Sequence, residues 1–553
     1  MKLEFAIEFM GAELLAPPGL KGKGVAQKTC FGAAVDGRKV ERGQLFFAIK
    51  GERVDGFEYC AQAARAGAAA VVVARGRGRP DGVGAVPVLA VDDPVLALGK
   101  LAHAIRNTYQ GVVIGVTGSN GKTTTKELIA AALGPHGKVL RSPGNLNTEI
   151  GLPQAILSAR GDEAFWVLEM AMRGPGEIEI LGRIACPHVA VVTNVGAAHL
   201  GRLGSLQAIA RAKGEIYTTL APGGTAVVPG NEAMLGPDLA LVPTERIVRF
   251  GAGTFLDFGR GAGFSPGVRL LDYVPEAGGH SLIRVSVGEY PAVLRLPLAG
   301  PHNAVNACAA LSVVWALGLP IAPSAAALSK VALPPHRSHV RSVGGRLVID
   351  DCYNANPASM SAALTTLAAS LPATGRAFAI LGDMLELGPD ERALHETLGA
   401  EAVKKGIFAL AGVGKLGRLI AAGARKAGLS VGRAIATDDA AEAARVVAGL
   451  SAPGDAILIK ASRGMRLEAA VDAVYAILGA SKKPAKKKTK KPEKKKAKAA
   501  KKAKAAPRRK ATPRRKATPR RKAAPRRKAA PRRKAAPKRK AAKRVTTPAR
   551  KRK

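Results

Sequence analysis

The sequence predicts an α/β protein of three folded domains followed by a disordered extension, and three observations carry that reading. From Gly111 onward, short β-branched runs alternate with longer Ala/Leu-rich segments, as parallel strands alternate with crossover helices. A second series of the same kind restarts after the proline-rich hinge Leu333-Pro334-Pro335. Positive charge is concentrated at one end: of a net +45 over 553 residues, the stretch from Lys482 to Lys553 holds 38 Lys or Arg and one acidic residue, Glu493.

Taken in order, residues 1–107 form a small α/β unit, with Leu45–Ile49 and Ala69–Val73 as strands. Residues 108–334 follow as a parallel-sheet domain, with strands at Val112–Val116, Trp166–Glu169, Val189–Thr193 and Ala226–Val228. Residues 335–480 form a second α/β domain, with strands at Leu347–Asp350, Ala377–Leu381, Phe408–Gly412 and Ala456–Lys460. Residues 481–553 are different material. A unit of Ala-Ala/Thr-Pro-Arg/Lys-Arg-Lys recurs every six residues, with prolines at 507, 513, 519, 525, 531 and 537. Proline breaks helices, like charges oppose collapse and almost nothing apolar is available to bury, so this tail is expected to be disordered.

The overall charge would suggest a nucleic-acid binder, but the body without the tail carries only +8, from 48 basic and 40 acidic residues, an ordinary globular balance. The five cysteines, Cys30, Cys60, Cys186, Cys308 and Cys352, have neither disulfide-framework density nor metal-ligand spacing. Met1 to Met10 lacks the basic start and apolar core of a leader, and no run approaches the ~18 apolar residues of a membrane span. A cytoplasmic protein with no transmembrane segment, monomeric, is expected.

The most informative segment is Gly115-Val116-Thr117-Gly118-Ser119-Asn120-Gly121-Lys122-Thr123-Thr124, which follows an apolar strand and opens a helix. In that setting glycines let backbone N–H groups wrap phosphate oxygens and the helix N-terminus adds its dipole. Lys122 would reach the β/γ-phosphates and Thr123 would hold Mg²⁺. The strict phosphate-loop spacing has glycine where this chain has Val116; Gly115 and Gly118 replace it.

With this loop, further runs resemble the Mur ligase family up to about Ala480. They are Gly144-Asn-Leu-Asn-Thr-Glu-Ile-Gly151, Leu168-Glu-Met170, Thr193-Asn194 with His199, Ala212-Lys-Gly-Glu215, and His302-Asn303 with Asn306. In the C-terminal part, Asp350-Asp-Cys-Tyr-Asn-Ala-Asn-Pro357, Leu381-Gly-Asp-Met-Leu-Glu-Leu-Gly388 and Lys460-Ala-Ser-Arg-Gly464 resemble the branch that adds D-alanyl-D-alanine to UDP-N-acetylmuramoyl-tripeptide. The resemblance implies the three-domain Mur ligase architecture: a UDP-substrate-binding N-terminal domain, a central ATPase-like domain and a Rossmann-like C-terminal ligase domain. It also implies ATP and Mg²⁺, and an acyl phosphate that an amine then attacks. Anionic oxygens converge in such steps, so catalysis should rest on positioning and charge neutralisation.

Residue roles follow from the resemblance. Glu169, His199 and Lys213, with Thr123, would hold metal; Lys213 resembles the lysine that the family carbamylates, although the sequence by itself reads it as a solvated helix residue. A histidine after a strand, like His199, is on its own as readily structural. Asn303 and Asn306, three apart on one helical face, would meet the adenine, a helix-start hydrogen bond being the competing role. Arg337 and Asp351 would meet phosphates and ribose from the C-terminal domain, and Asn147 the substrate. Asp36-Gly37-Arg38, with Asp36 and Arg38 as the contacts, resembles the uridine-nucleotide docking segment, where the family usually has serine in place of Gly37; a strand-flanking turn is the alternative. Asn354 and Asn356 would recognise the incoming dipeptide. The nearest rival within the fold is the tripeptide-forming ligase. A rival of another class is a nucleic-acid-compacting protein, since the tail offers Lys and Arg for phosphates, on nucleic acid or on an anionic membrane surface, without aromatic residues for stacking.

Overall fold

The computed structural model describes residues 1–15, 22–197, 200–253, 267–372 and 374–480. The disorder expected of the basic tail concerns residues outside these.

The described residues form three sheets. In the first, β1 (Glu13–Leu15), β2 (Ala33–Ala34), β3 (Leu45–Phe47), β4 (Ala70–Ala74) and β5 (Val88–Val91) run in the order β1-β5-β4-β3-β2, with β1 antiparallel to an otherwise parallel sheet. The two strands expected here are β3 and β4. Neighbouring β-branched and aromatic side chains, buried on both faces, favour extended backbone at these positions.

The second sheet contains β6 (Val112–Thr117), β7 (Val139–Arg141), β8 (Phe165–Glu169), β9 (Val189–Val192), β10 (Thr225–Pro229), β11 (Ile247–Ala252), β12 (Gly267–Glu276), β13 (His280–Val287) and β14 (Tyr290–Leu296), in the order β14-β13-β12-β11-β10-β9-β6-β8-β7. The strands from β6 to β12 are parallel; β13 and β14 continue the sheet antiparallel. The chain leaves β6 for β7 and β8 on one side and then crosses to β9 on the other. The carboxyl end of β6 therefore opens at a topological switch point, where open α/β sheets bind ligands. The antiparallel extension has no counterpart in the sequence reading. β13 alternates buried and part-exposed residues, His280-Ser-Leu-Ile-Arg-Val-Ser-Val287, with too few apolar positions to stand out as a buried parallel strand does.

In the third sheet, β15 (His339–Val343), β16 (Arg346–Asp350), β17 (Ala377–Gly382), β18 (Ile407–Val413), β19 (Ala434–Thr437) and β20 (Ala456–Lys460) run in the order β15-β16-β20-β17-β18-β19, with only β15 antiparallel. Because β16 and β20 are neighbours, Asp350 pairs with Ile459 and the two carboxyl ends lie side by side.

The helix Pro94–Thr108, capped by Asp93 with Pro94 in its first turn, buries Leu98, Leu101 and Ala102 in a core shared by the first sheet and one face of the second. The opposite face of the second sheet is covered by the helices Lys122–Leu133 and Pro301–Ala316, which pack on each other. The third sheet buries separate clusters on its two faces. Among the described residues, no helix is long and apolar enough to cross a membrane.

Candidate active site

The site is built where β6 ends. The loop from Gly118 to Gly121 turns straight into the helix Lys122–Leu133, whose first turn has no side-chain cap, so its N–H groups point outward as an anion-binding end. Two glycines make the turn possible. Gly118 (φ 142°) runs so close to β9 that a Cβ would lie 1.9 Å from Thr193 Oγ1, and Gly121 (φ 77°) is packed against Asn306, 2.8 Å from its Oδ1. Residues after β9 tie the loop down. Asn194 accepts from Asn120 N at 3.0 Å, Thr193 Oγ1 donates to Asn120 O at 2.6 Å, and the Ser119 hydroxyl exchanges hydrogen bonds with Gly196 at 2.9 Å. Lys122 Nζ folds back to Gly118 O at 2.7 Å. Burial pushes its pKa down; Glu169 opposes this and Arg337 adds to it, which puts both charges within electrostatic reach of the loop. The Thr117 hydroxyl is buried without a partner at the root of the loop.

Glu169 closes β8 beside the loop and is 2 % exposed. Its Oε2 accepts from Thr123 Oγ1 at 2.8 Å and its Oε1 from Asn147 Nδ2 at 2.8 Å. Thr123 and Glu169 thus meet as a hard-oxygen pair next to the phosphate loop, a donor set that suits Mg²⁺. Asn147, expected at the substrate, holds the far oxygen of this carboxylate.

Lys126 was not foreseen. Its side chain is fully buried, donates to Ser142 O at 2.7 Å, and lies 3.3 Å from Glu127 and 3.6 Å from Glu169. The only hint in the sequence is a Lys-Glu pair inside a helix that is otherwise mostly apolar after its first turn. Breaking a buried ion pair from one side costs roughly 3–5 kcal/mol because the partner charge is stranded. Replacing Lys126 by methionine should therefore lower unfolding stability by about that amount, read by urea titration, and raise the Mg²⁺ concentration needed for turnover. An unchanged Mg²⁺ requirement would leave Lys126 a purely structural residue.

Lys213 lies on the helix Leu206–Thr218, which Ser205 caps through Ala208 N at 3.1 Å. It is 1 % exposed, so the reading of a solvated helix residue is overturned. Among the described residues its ammonium has no hydrogen bond or ion pair. Burial pushes its pKa well down, the charge of Lys122 pushes the same way, and Glu215 opposes them. That carboxylate is itself committed to the N-terminus of the helix Glu177–Ala185, accepting from Gly176 N at 2.7 Å and Glu179 N at 3.1 Å. His199 lies outside the described residues.

The C-terminal sheet reaches the same loop. Asn356 Nδ2 donates to Asn120 Oδ1 at 2.7 Å, while its Oδ1 forms a capping box with Ser359 at the start of the helix Pro357–Ala369. Asn354 is exposed, and its carbonyl accepts from Lys460 at 2.9 Å. Lys460, 3 % exposed, is ion-paired to Asp351 at 2.5 Å across the ends of β20 and β16. Arg337 stacks on the Tyr353 ring, 3.8 Å from its centroid, and is bracketed by His336 and Ser338 with φ of 65° and 48°. Non-glycine residues hold that conformation only where their surroundings impose it. Here Tyr353 N donates to His336 O at 3.0 Å and Ser338 N donates to Asp351 at 2.9 Å.

Asn303 and Asn306 are both buried, and Asn303 donates to Ala299 O at 2.7 Å, the helix-start bond weighed as the competing role. Beside them the His302 Nδ1 is buried without a partner; burial lowers its pKa, Asp351 opposes this and Lys460 adds to it. Lys460 and His302 lie in runs quoted for their family resemblance, but their place at the site comes from strand adjacency, not spacing.

Asp36 and Arg38 lie in the first sheet's turn and bind each other, Nε to Oδ1 at 2.8 Å, holding the Asp36 carboxyl at about 2. Gly37 between them sits under Tyr59, where a Cβ would be 2.7 Å from the Tyr59 Cβ. A serine, which the resemblance would lead one to expect here, would require the Tyr59 backbone to move away.

A glycine loop at a switch point, beside a buried threonine–carboxylate pair and bonded to Asn356 from the third sheet, is the arrangement of a nucleotide-dependent enzyme. The profiles of the Mur ligase family catalytic domain, middle domain and glutamate ligase domain match residues 32–106, 116–314 and 336–463. A Bacillus subtilis protein named UDP-N-acetylmuramoyl-tripeptide--D-alanyl-D-alanine ligase is 38 % identical over 444 residues, 80 % of this chain and 92 % of the relative. The crystal structure of MurF from Acinetobacter baumannii superposes with a TM-score of 0.73 at 28 % identity, covering 86 % of this chain and 98 % of that one. MurF ligase from Thermotoga maritima, solved in complex with ADP, gives 0.69 at 30 % identity, covering 82 % and 98 %. The chain belongs to the Mur ligase family.

Proposed function

We propose that this chain joins D-alanyl-D-alanine to UDP-N-acetylmuramoyl-tripeptide at the expense of ATP, giving the pentapeptide precursor of peptidoglycan with ADP and phosphate. The observation that carries this reading is a 38 % match running through 92 % of a ligase of that name, with the phosphate loop intact. Thr117–Thr124 would hold the ATP phosphates, Asn303 and Asn306 would face its base, and Arg337 and Asp351 would meet it from the third sheet. The unpartnered Thr117 hydroxyl and the uncapped helix end are what such phosphates need. Thr123 and Glu169 would hold Mg²⁺, with His199 and Lys213 as the second set, and the ion would supply charge neutralisation for phosphoryl transfer.

The terminal carboxylate of the tripeptide takes the γ-phosphoryl group, and the dipeptide amine then attacks the acyl phosphate and expels phosphate. Lys122 and Arg337 stabilise that charge, and Asn147 and Lys126 keep Glu169 oriented. Lys213, buried and biased toward the neutral amine, is suited to react with carbon dioxide, because only the neutral amine does so. The resulting carbamate gives the site a further carboxylate. Asp36 and Arg38 serve the UDP end on the first sheet, and the Asn354–Asn356 loop the dipeptide. The division at 107, 334 and 480 assigns one substrate to each folded part, in a monomer working in the cytoplasm.

The acceptor tests this reading. D-alanyl-D-alanine should react far faster than D-alanine or a free diamino acid, measured as phosphate release with UDP-muramoyl tripeptide. Faster reaction with the diamino acid would move the chain to another branch of the family.

The basic tail is an accessory polyanion binder. Its 38 Lys and Arg residues over 72 positions, without aromatic residues, suit phosphates rather than base sequence. Removing residues 481–553 should leave turnover nearly unchanged and abolish salt-sensitive binding to DNA. Even ~10 neutralised phosphates give a log-log salt slope near −9. Equal DNA binding by the truncated chain would dismiss the tail as the binding element; tighter binding to RNA or anionic vesicles would reassign its partner.

A further inference from the structure

Outside the residues assigned to the nucleotide, one cluster of ligating atoms is gathered at the carboxyl end of β16. His336 Nδ1 lies 2.8 Å from Asp350 Oδ2 and Cys352 Sγ lies 3.2 Å from Asp350 Oδ1. The three side chains each offer an atom within 4.8 Å of the others. Cys352 is fully buried and the Asp350 side chain is 5 % exposed, whereas that of His336 is 30 % exposed and opens the cluster to solvent. The alternation of the strand end puts Asp350 and Cys352 on one side, and the left-handed backbone at His336 turns its ring onto them. Nearby, the Tyr475 hydroxyl is buried without a hydrogen-bond partner among the described residues, and the Asp350 carboxylate acts on it electrostatically.

We propose that His336, Asp350 and Cys352 form a binding site for a thiophilic divalent cation of the Zn²⁺ class. The mixed imidazole, carboxylate and thiolate set is one that zinc takes in tetrahedral sites. Bond lengths of about 2.0–2.3 Å imply ligand atoms about 3.3–3.6 Å apart, so the His336–Asp350 contact has to open by about half an ångström to admit the ion. Charge also balances: the thiol proton leaves to solvent, and carboxylate plus thiolate neutralise the dication, so that no net charge is buried. The fourth position takes water from the side that the part-exposed His336 leaves open. A bound cation would tie His336, next to Arg337, to Asp350, next to Asp351. It would therefore grip both segments that reach the nucleotide from the third sheet.

Cobalt reports such a site directly, because thiolate ligation gives an intense near-ultraviolet charge-transfer band. Titrating the full-length chain with Co²⁺ should give that band at one equivalent, and Zn²⁺ should displace it. In Cys352→Ala, which keeps Cys30, Cys60, Cys186 and Cys308, the band should vanish. In His336→Gln, a partly exposed position that spares the core if Cys352→Ala fails to fold, cobalt affinity should fall by more than the ~10–100-fold that loss of an outer-shell partner costs. No band in the parent chain, a band that survives in Cys352→Ala, or an unchanged affinity in His336→Gln would overturn the proposal. The readout is independent of ligase turnover, so it stands or falls apart from the function proposed above.

Discussion

Replacing Lys122 by alanine is expected to reduce turnover by on the order of 10³-fold or more, since loss of a single donor to developing charge already costs about 10²–10³. Lys122 follows Gly121 at the start of the helix, and among the described residues its ammonium is tethered to the loop carbonyls Gly118 O and Ser119 O. Among the described residues it forms no ion pair, so it can swing to a phosphate by giving up two hydrogen bonds. UDP-substrate binding, which we assign to the first sheet, should persist, as titration calorimetry with the UDP-tripeptide would show. Equal loss of binding and turnover would mean that the two ends of the substrate are not handled by separate parts of the chain. Near-normal turnover would remove the phosphate loop from the mechanism.

Replacing Lys213 by alanine should be comparably damaging and partly reversible by a short added carboxylate, which would occupy the space of the proposed carbamate. The parent enzyme should lose activity in buffer stripped of carbon dioxide and regain it with bicarbonate. Stability supplies an independent check. The folded-state pKa of Lys213 is depressed, so between that value and the ordinary lysine value the unfolded chain binds a proton that the folded chain does not. Stability then rises with pH across that window and is diminished below it. Without carbon dioxide, Lys213→Met should therefore be more stable than the parent at neutral pH, and the difference should shrink as pH rises toward 10.5. A parent chain equally stable at both ends, relative to Lys213→Met, would mean that the buried amine carries no such strain.

What could be read from sequence was whatever is contiguous. Gly118-Ser119-Asn120-Gly121-Lys122-Thr123 declares a turn between strand and helix because glycine, lysine and threonine perform their roles within six residues. The parallel strands β6, β8, β9, β16, β17, β18 and β20 declare themselves as unbroken apolar runs because both of their faces are buried. Contacts that depend on sheet order were not legible. Lys460 meets Asp351 only because β20 inserts beside β16. Lys126 meets Glu169 only because β8 lies next to β6. The hairpin extension β12–β14, half exposed, mixes polar and apolar residues too evenly to be separated from a loop. Gly37 shows the converse: the departure from serine is visible in sequence, but its reason, the close approach of Tyr59, is not.

The central claim is that ATP cleavage here is coupled to amide formation between a UDP-muramoyl tripeptide and D-alanyl-D-alanine. Phosphate release should therefore be negligible with ATP alone and remain negligible when either partner is omitted. With both present, it should match, mole for mole, a UDP-muramoyl pentapeptide detected by mass. Phosphate released at the same rate without D-alanyl-D-alanine, or without any pentapeptide appearing, would contradict it.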